Sequence, residues 1–157
     1  MVKVKVDRLA IDVISGSPVL ILTPEYLGDD EKILPIWIGP AELMSIASVL
    51  GGIKPPRPQT HDLLKSFAET FGIIISKVEI TELKENTYYA KIFTEKDGEK
   101  VFIDSRPSDA IALALRTKSP IYASEALLHS LKSGDEEEVH KSAALDDNPE
   151  ELKKRLR

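Results

Sequence analysis

Cysteine is absent from the 157 residues, which excludes disulfide scaffolds, thiol nucleophiles and thiolate-bound zinc or iron–sulfur centres. Histidine occurs three times, too few for a histidine-rich metal cage. Aromatic residues make up 6% of the chain, with a single Trp, and no apolar run approaches the ~20 residues that span a bilayer. Residues 1–14 are interrupted by Lys3, Lys5, Asp7, Arg8 and Asp12 and so hold no signal-peptide core. A soluble, cytoplasmic protein is the expectation. Asn and Gln total three and Met two, a scarcity of thermolabile side chains common in thermophiles. A strong charge of one sign is also missing. The net charge is −5, and residues 134–157 hold eight acids against five bases. The remainder is close to neutral and carries no basic stripe of the kind that holds nucleic acid by bulk electrostatics. A phosphate ligand must then be gripped locally, by a few arginines or a bound cation.

What is present is a globular balance, 42% hydrophobic and 30% charged, at a length suited to one domain and a short tail. The expected division is a domain over residues 1–133 and an acidic tail over 134–157 with a short charged helix near 150–157. Period-two alternation from Val2 predicts a strand, and Ser15-Gly16-Ser17-Pro18 a turn into a second strand over 19–22. Residues 32–38 read as a third strand, with Pro35 demanding an edge or a bulge. Gly39-Pro40-Ala41-Glu42 opens a helix whose stripe is Leu43, Ile46, Ala47 and Leu50. A second helix starts at Thr60 as N-cap, with Leu64, Phe67, Ala68 and Phe71 as its buried stripe. Strands over 73–83, 87–95 and 100–104 follow, the last two joined by Asp97-Gly98. Pro107 starts a third helix, residues 120–122 a short strand, and Ser124 caps a fourth helix through Leu131. Strands and helices do not alternate regularly. The predicted class is α+β, a mixed, mostly antiparallel sheet with about four helices packed against it.

Three helix starts concentrate polar chemistry beside prolines: Gly39-Pro40-Ala41-Glu42, Arg57-Pro58-Gln59-Thr60-His61-Asp62 and Asp104-Ser105-Arg106-Pro107-Ser108-Asp109. If they converge, Glu42, Asp62, Asp104 and Asp109 supply the carboxylate oxygens that Mg²⁺ or Mn²⁺ prefer. His61 is then a proton carrier, and Arg57 and Arg106 clamp phosphate through paired hydrogen bonds. The competing reading is structural. An acid in a first helical turn stabilises the helix dipole, and Asp104 and Arg106 can pair to fix a turn. His129 and His140 fall on a surface helix and in the tail. Trp37, Tyr88, Tyr89 and Phe102 offer stacking faces for bases, or core and interface surface.

The segments Leu34-Pro35-Ile36-Trp37-Ile38-Gly39-Pro40-Ala41-Glu42, Arg57-Pro58-Gln59-Thr60-His61-Asp62-Leu63-Leu64 and Asp104-Ser105-Arg106-Pro107-Ser108-Asp109-Ala110-Ile111-Ala112-Leu113-Ala114 resemble the bifunctional nuclease domain family over residues 2–131, in the manner of its short bacterial members from thermophiles. The resemblance implies phosphodiester cleavage of RNA or DNA, and by position it carries over Glu42, His61, Asp62, Asp104, Arg106 and Asp109. Leu43 and Met44 replace the small residues of the family's first helix. Residues 150–157 resemble the start of a helical motif shared with excision-repair nuclease subunits. The leading expectation is a metal-assisted nuclease or phosphodiesterase acting on nucleic acid, single-stranded by preference. The alternatives are a non-catalytic binding or regulatory module whose polar motifs brace turns, and an assembly scaffold presenting Trp37. A two-fold homodimer is the expected assembly.

Overall fold

The amino-terminal alternation becomes β1 (Val2–Ile11), which turns back into β2 (Pro18–Pro24) and continues to β3 (Lys32–Trp37). This is seen in a computed structural model of the chain, which describes residues 1–26 and 32–130. The polar loop at 28–30, the acidic segment 134–157 and the helix expected near 150–157 lie outside the described residues. Asp12 organises the first turn. Its carboxylate accepts from Ser15 Oγ at 2.6 Å, the Ile14 amide at 3.0 Å and the Trp37 indole N–H at 3.3 Å. These bonds, Ser15's first, hold the Asp12 carboxyl below its ordinary range. Trp37 packs with Val19, Ile21, Ile33 and Ala10.

Helices α1 (Pro40–Leu50) and α2 (Thr60–Thr70) come next, then β4 (Ile74–Lys84), β5 (Thr87–Lys96) and β6 (Glu99–Ser105), α3 (Pro107–Thr117), β7 (Ile121–Ala123) and β8 (His129–Ser130). Among the described residues eight strands form one sheet, in the order β6-β5-β4-β7-β1-β2-β3-β8. Every pairing is antiparallel except β4 with β7. The expected mixed, mostly antiparallel α+β fold is the one observed, with three α-helices among the described residues rather than about four. Asp97 and Gly98 both take positive φ, 51° and 84°, as the tight hairpin turn between β5 and β6 requires. Pro35 pairs with Ile21 on its β2 side. On the other side β8 reaches only Lys32 and Ile33, so the ring meets no ladder there.

α3 lies on β4 and β5 with α1 and α2 on its flanks. Its row from Ala110 to Ala114 is entirely buried, and the alanines let neighbouring elements approach closely. The main core joins this row to Leu20, Leu22, Leu34, Ile46, Val78 and Ile80. Two helical expectations fail. The stripe assigned to α2 is mostly outside, with Leu64 44%, Phe67 57% and Phe71 51% exposed and Ala68 alone buried. A 3.6-residue pattern marks an apolar face without naming what covers it. The fourth helix is a single 3₁₀ turn, Glu125–Leu127, and the chain then extends into β8. A helix that short carries its nucleation cost without enough propagation. Leu127 and Leu128 pack on the core, and His129 pairs with Ile33 on a strand. Among the described residues no helix is long and apolar enough to cross a membrane.

Candidate active site

Two prolines at first helical positions, Pro40 and Pro107, start α1 and α3 with orphan amides and positive dipole ends that favour acids in the first turn. Glu42 and Asp109 occupy those turns. The start of α2 faces them. The cleft among the three helices, about 580 Å³, is lined by Glu42, Met44, Ser45, Gln59, His61, Arg106 and Asp109, with Ala41, Pro58 and Thr60 completing the wall. Its size falls in the range of small-ligand pockets.

His61 is the centre of the arrangement. Its side chain is 12% exposed, and both ring nitrogens are engaged: Nδ1 with Ser45 Oγ at 2.8 Å and Nε2 with Asp109 Oδ1 at 3.0 Å. An ionised carboxylate only accepts, so Nε2 carries a proton. In the neutral ring Nδ1 then accepts from the Ser45 hydroxyl. Hydroxyl, imidazole and carboxylate stand in line, the order in which a proton can be taken from an oxygen and the resulting imidazolium stabilised. Arg106 closes the array. Its Nε donates to Asp109 Oδ2 at 2.7 Å and an Nη to Asp109 Oδ1 at 3.1 Å, while the other Nη meets Glu42 Oε1 at 2.9 Å. Burial pushes the Asp109 carboxyl up, but hydrogen bonds from Arg106 and then His61 outweigh it, and the group lies below its ordinary range. Arg106 is raised, chiefly by its bond to Asp109. Its side chain is nevertheless 66% exposed, so the guanidinium sits at the rim in reach of solvent.

Asp62 is adjacent but turned away. One oxygen accepts from Arg116 Nε at 2.6 Å and the other from the Gln59 amide at 2.9 Å, an N-terminal cap that makes Gln59, not Thr60, the capping position of α2. These bonds, Arg116's first, lower the Asp62 carboxyl. Arg116 is 4% exposed and also donates to the carbonyls of Ala112 and Ser45, so α1, α2 and α3 are pinned together beneath the cleft.

Of the seven residues expected at the site, the cleft brings together Glu42, His61, Arg106 and Asp109. Asp62 braces it from behind, and Asp104 and Arg57 do not line it. The reason for Asp104 is the period of two along β6. Ser105 and Ile103 pair with Ala90 and Ile92, which face the core beneath α3, so Asp104 points to the opposite side of the sheet beside Lys91. Arg57 is exposed on the connector. The four carboxylates therefore do not form a metal cage: among the described residues no three His, Asp or Glu side chains are grouped to hold one ion. Glu42 and Asp109, the two that share the cleft, have Arg106 between them. Ser45 and Arg116 belong to the site without having stood out in the sequence. The signal for Arg116 was its spacing of seven from Asp109 on one helix, two turns along the same face. For Ser45 it was the i, i+3 relation to Glu42.

Comparison with known proteins converges on one family. The sequence profile of the bifunctional nuclease domain matches residues 21–135. An uncharacterized protein of Mycobacterium tuberculosis is 39% identical over 128 residues, covering 82% of this chain and 74% of its own. Bifunctional nuclease 1 of Oryza sativa subsp. japonica is 31% identical over 103 residues, 64% of this chain and 31% of its own. Bifunctional nuclease 1 of Arabidopsis thaliana is 30% identical over 101 residues, with 62% and 31% covered. The chain thus spans about a third of the length of the plant nucleases it matches.

Proposed function

Given that the chain belongs to the bifunctional nuclease domain family, we propose that it hydrolyses phosphodiester bonds of single-stranded RNA or DNA in the cleft among α1, α2 and α3. The observation that carries this reading is the imidazole of His61 held between Ser45 and Asp109, with the exposed Arg106 guanidinium on the same carboxylate. In this reading Arg106 turns from Glu42 to a phosphate oxygen, matching its planar fork to the anion. Asp109 holds the proton on Nε2 of His61 and leaves Nδ1 as the basic nitrogen. Nδ1 accepts the proton of an attacking water that takes the place of the Ser45 hydroxyl, and Asp109 stabilises the imidazolium. That proton then passes to the departing oxygen as the P–O bond breaks. The cleft's modest size favours an unpaired strand over a duplex. The near-neutral body leaves affinity to the local grip of Arg106. A cysteine-free chain is consistent with the cytoplasm, where we place it.

The donors present do not fit a preassembled divalent site, because Arg106 already neutralises the two carboxylates that share the cleft. Mg²⁺ or Mn²⁺ as cofactor is therefore an experimental variable in this proposal and not a step in it. The test is cleavage of single-stranded RNA and DNA oligonucleotides with Mg²⁺, Mn²⁺ or EDTA by wild type, His61→Ala, Arg106→Ala and the surface control Lys84→Ala. The reading requires loss of about 10²-fold or more in the first two variants and none in the control. Equal residual rates in all four proteins would mark a contaminant and refute it.

The second reading, a binding or regulatory module, draws on one observation: every buried side-chain polar atom among the described residues has a partner. It predicts oligonucleotide binding by wild type with no turnover under any of those conditions.

A further inference from the structure

The two ends of the sheet are finished differently. At one end β8 is two residues long, a short edge of the kind that discourages further pairing. At the other, β6 runs seven residues, pairs with β5 in unbroken register, and has no strand on its outer side among the described residues. Its centre is apolar and bare: Val101 is 59%, Phe102 56% and Ile103 53% exposed. Neither proline nor bulge protects it, although bulges interrupt the β1/β2 and β4/β5 ladders. An unpaired edge of this length with an exposed apolar centre is a template for another strand.

The centre of β6 is complementary to its own reverse, with apolar residues on both sides of Phe102 and opposite charges at the two ends: Lys100-Val101-Phe102-Ile103-Asp104. We propose that β6 is the two-fold interface of a homodimer, pairing antiparallel with the partner's β6 about Phe102 to give one sheet across both copies. In that register Phe102 faces the partner's Phe102, Val101 faces the partner's Ile103, and Lys100 faces the partner's Asp104. On the helix-free face the charges then alternate over four strands. Glu95 already meets Lys100 at 3.8 Å, Lys100 meets the partner's Asp104, and the partner's Asp104 lies beside the partner's Lys91, as Asp104 lies beside Lys91 within one copy. Between these charged rows, Phe93 and Phe102, 6.1 Å apart, extend into a four-ring ladder. A slip of two residues would set Lys100 against a phenyl ring, so opposite charges and matched apolar pairs select one register. This pairing also gives Asp104, which the cleft does not use, a place in the molecule. The dimer stands or falls independently of the nuclease reading, since it involves no residue of the cleft.

The natural lack of cysteine makes the test direct. Full-length protein at micromolar concentration is expected to have twice the chain mass by light scattering. Val101→Lys, with an unchanged circular dichroism spectrum, should raise the dimer dissociation constant by about tenfold or more. Oxidised Phe102→Cys should run as a covalent dimer, since facing residues on paired strands lie within disulfide reach. Met44→Cys, on another surface, should not. Lys100→Cys and Asp104→Cys should cross-link when mixed and not alone. A monomeric wild type, as when residues 131–157 of the same chain cover the edge, overturns the proposal. So does a dimer that Val101→Lys leaves intact and Phe67→Glu dissolves, which would move the interface to α2.

Discussion

The two arginines of the site differ in what surrounds them, and their variants should fail in different ways. Arg116 is almost fully enclosed and neutralised by Asp62. Replacing Asp62 by Asn leaves a sequestered guanidinium short of its counter-charge, at a cost of roughly 2–3 kcal/mol, read as a fall in melting temperature of roughly 5–10 °C. The pH dependence has a definite sign. Asp62 and Asp109 both have depressed folded-state values, so their stabilisation is complete above the ordinary aspartate range and is lost as pH falls through the lower folded values. Melts taken downward from neutrality should hold until the pH drops below about 4 and then decline, less steeply in Asp62→Asn. Arg106 instead faces solvent, and in the proposed reaction Glu42 competes with substrate for it. Glu42→Gln should tighten oligonucleotide binding by about 2- to 5-fold, a few tenths of a kcal/mol to one, the scale of an exposed pair. Gly39→Ala should do the same, because a Cβ there would collide with Glu42 Oε2 and force that carboxylate away from its present seat. Fluorescence anisotropy of both variants checks this. At this scale the sequence was most legible where helix starts announce their acids, as at Glu42 and Asp109. It was least legible where a residue looks ordinary: Ser45 lies inside a helix, and Arg116 resembles a last-turn cation complementing the dipole.

Among the elements, α2 is held by polar pins more than by apolar packing. Ala68 is its buried residue, while His61 and Asp62 reach Ser45, Asp109 and Arg116. α3, buried from Ala110 to Ala114, is the opposite case. Amide exchange should therefore be faster across α2 than across α3, with protection in α3 approaching that of global unfolding. Comparable protection in both would show that the polar pins suffice. The strands were legible because alternation and turn chemistry act locally: β1, β2, β4 and β5 begin and end near their turn residues. Asp104 shows the limit. The sequence places it one residue from Ser105 and two from Arg106, but which face a strand residue takes depends on the neighbour that sets the register, here β5. The seven residues after Ala123 show another. Their helical pattern was real but short, and contact with β3 offered more than one turn of helix could.

For the molecule as a whole, weak charge has a measurable signature. A protein that binds nucleic acid through one guanidinium releases few counterions, so the slope of log affinity against log salt should be near −1 for a single strand. A slope several times steeper would reveal a basic surface that the described residues do not show. The arrangement of the sheet was not legible in the order of its strands. β7 is three residues long, yet it joins β1 on one side to β4 on the other, and no local pattern announces that a segment so late in the chain inserts between two earlier ones. That insertion bears on how the protein is made. A polypeptide leaving the ribosome can form the hairpin of β1 with β2, and later that of β4 with β5, but the two remain separate leaves until residue 123 has emerged. Folding to a single sheet is thus deferred until nearly all of the described chain has been synthesised, and until then the inner edges of both leaves are open to a chaperone or to a neighbouring nascent chain.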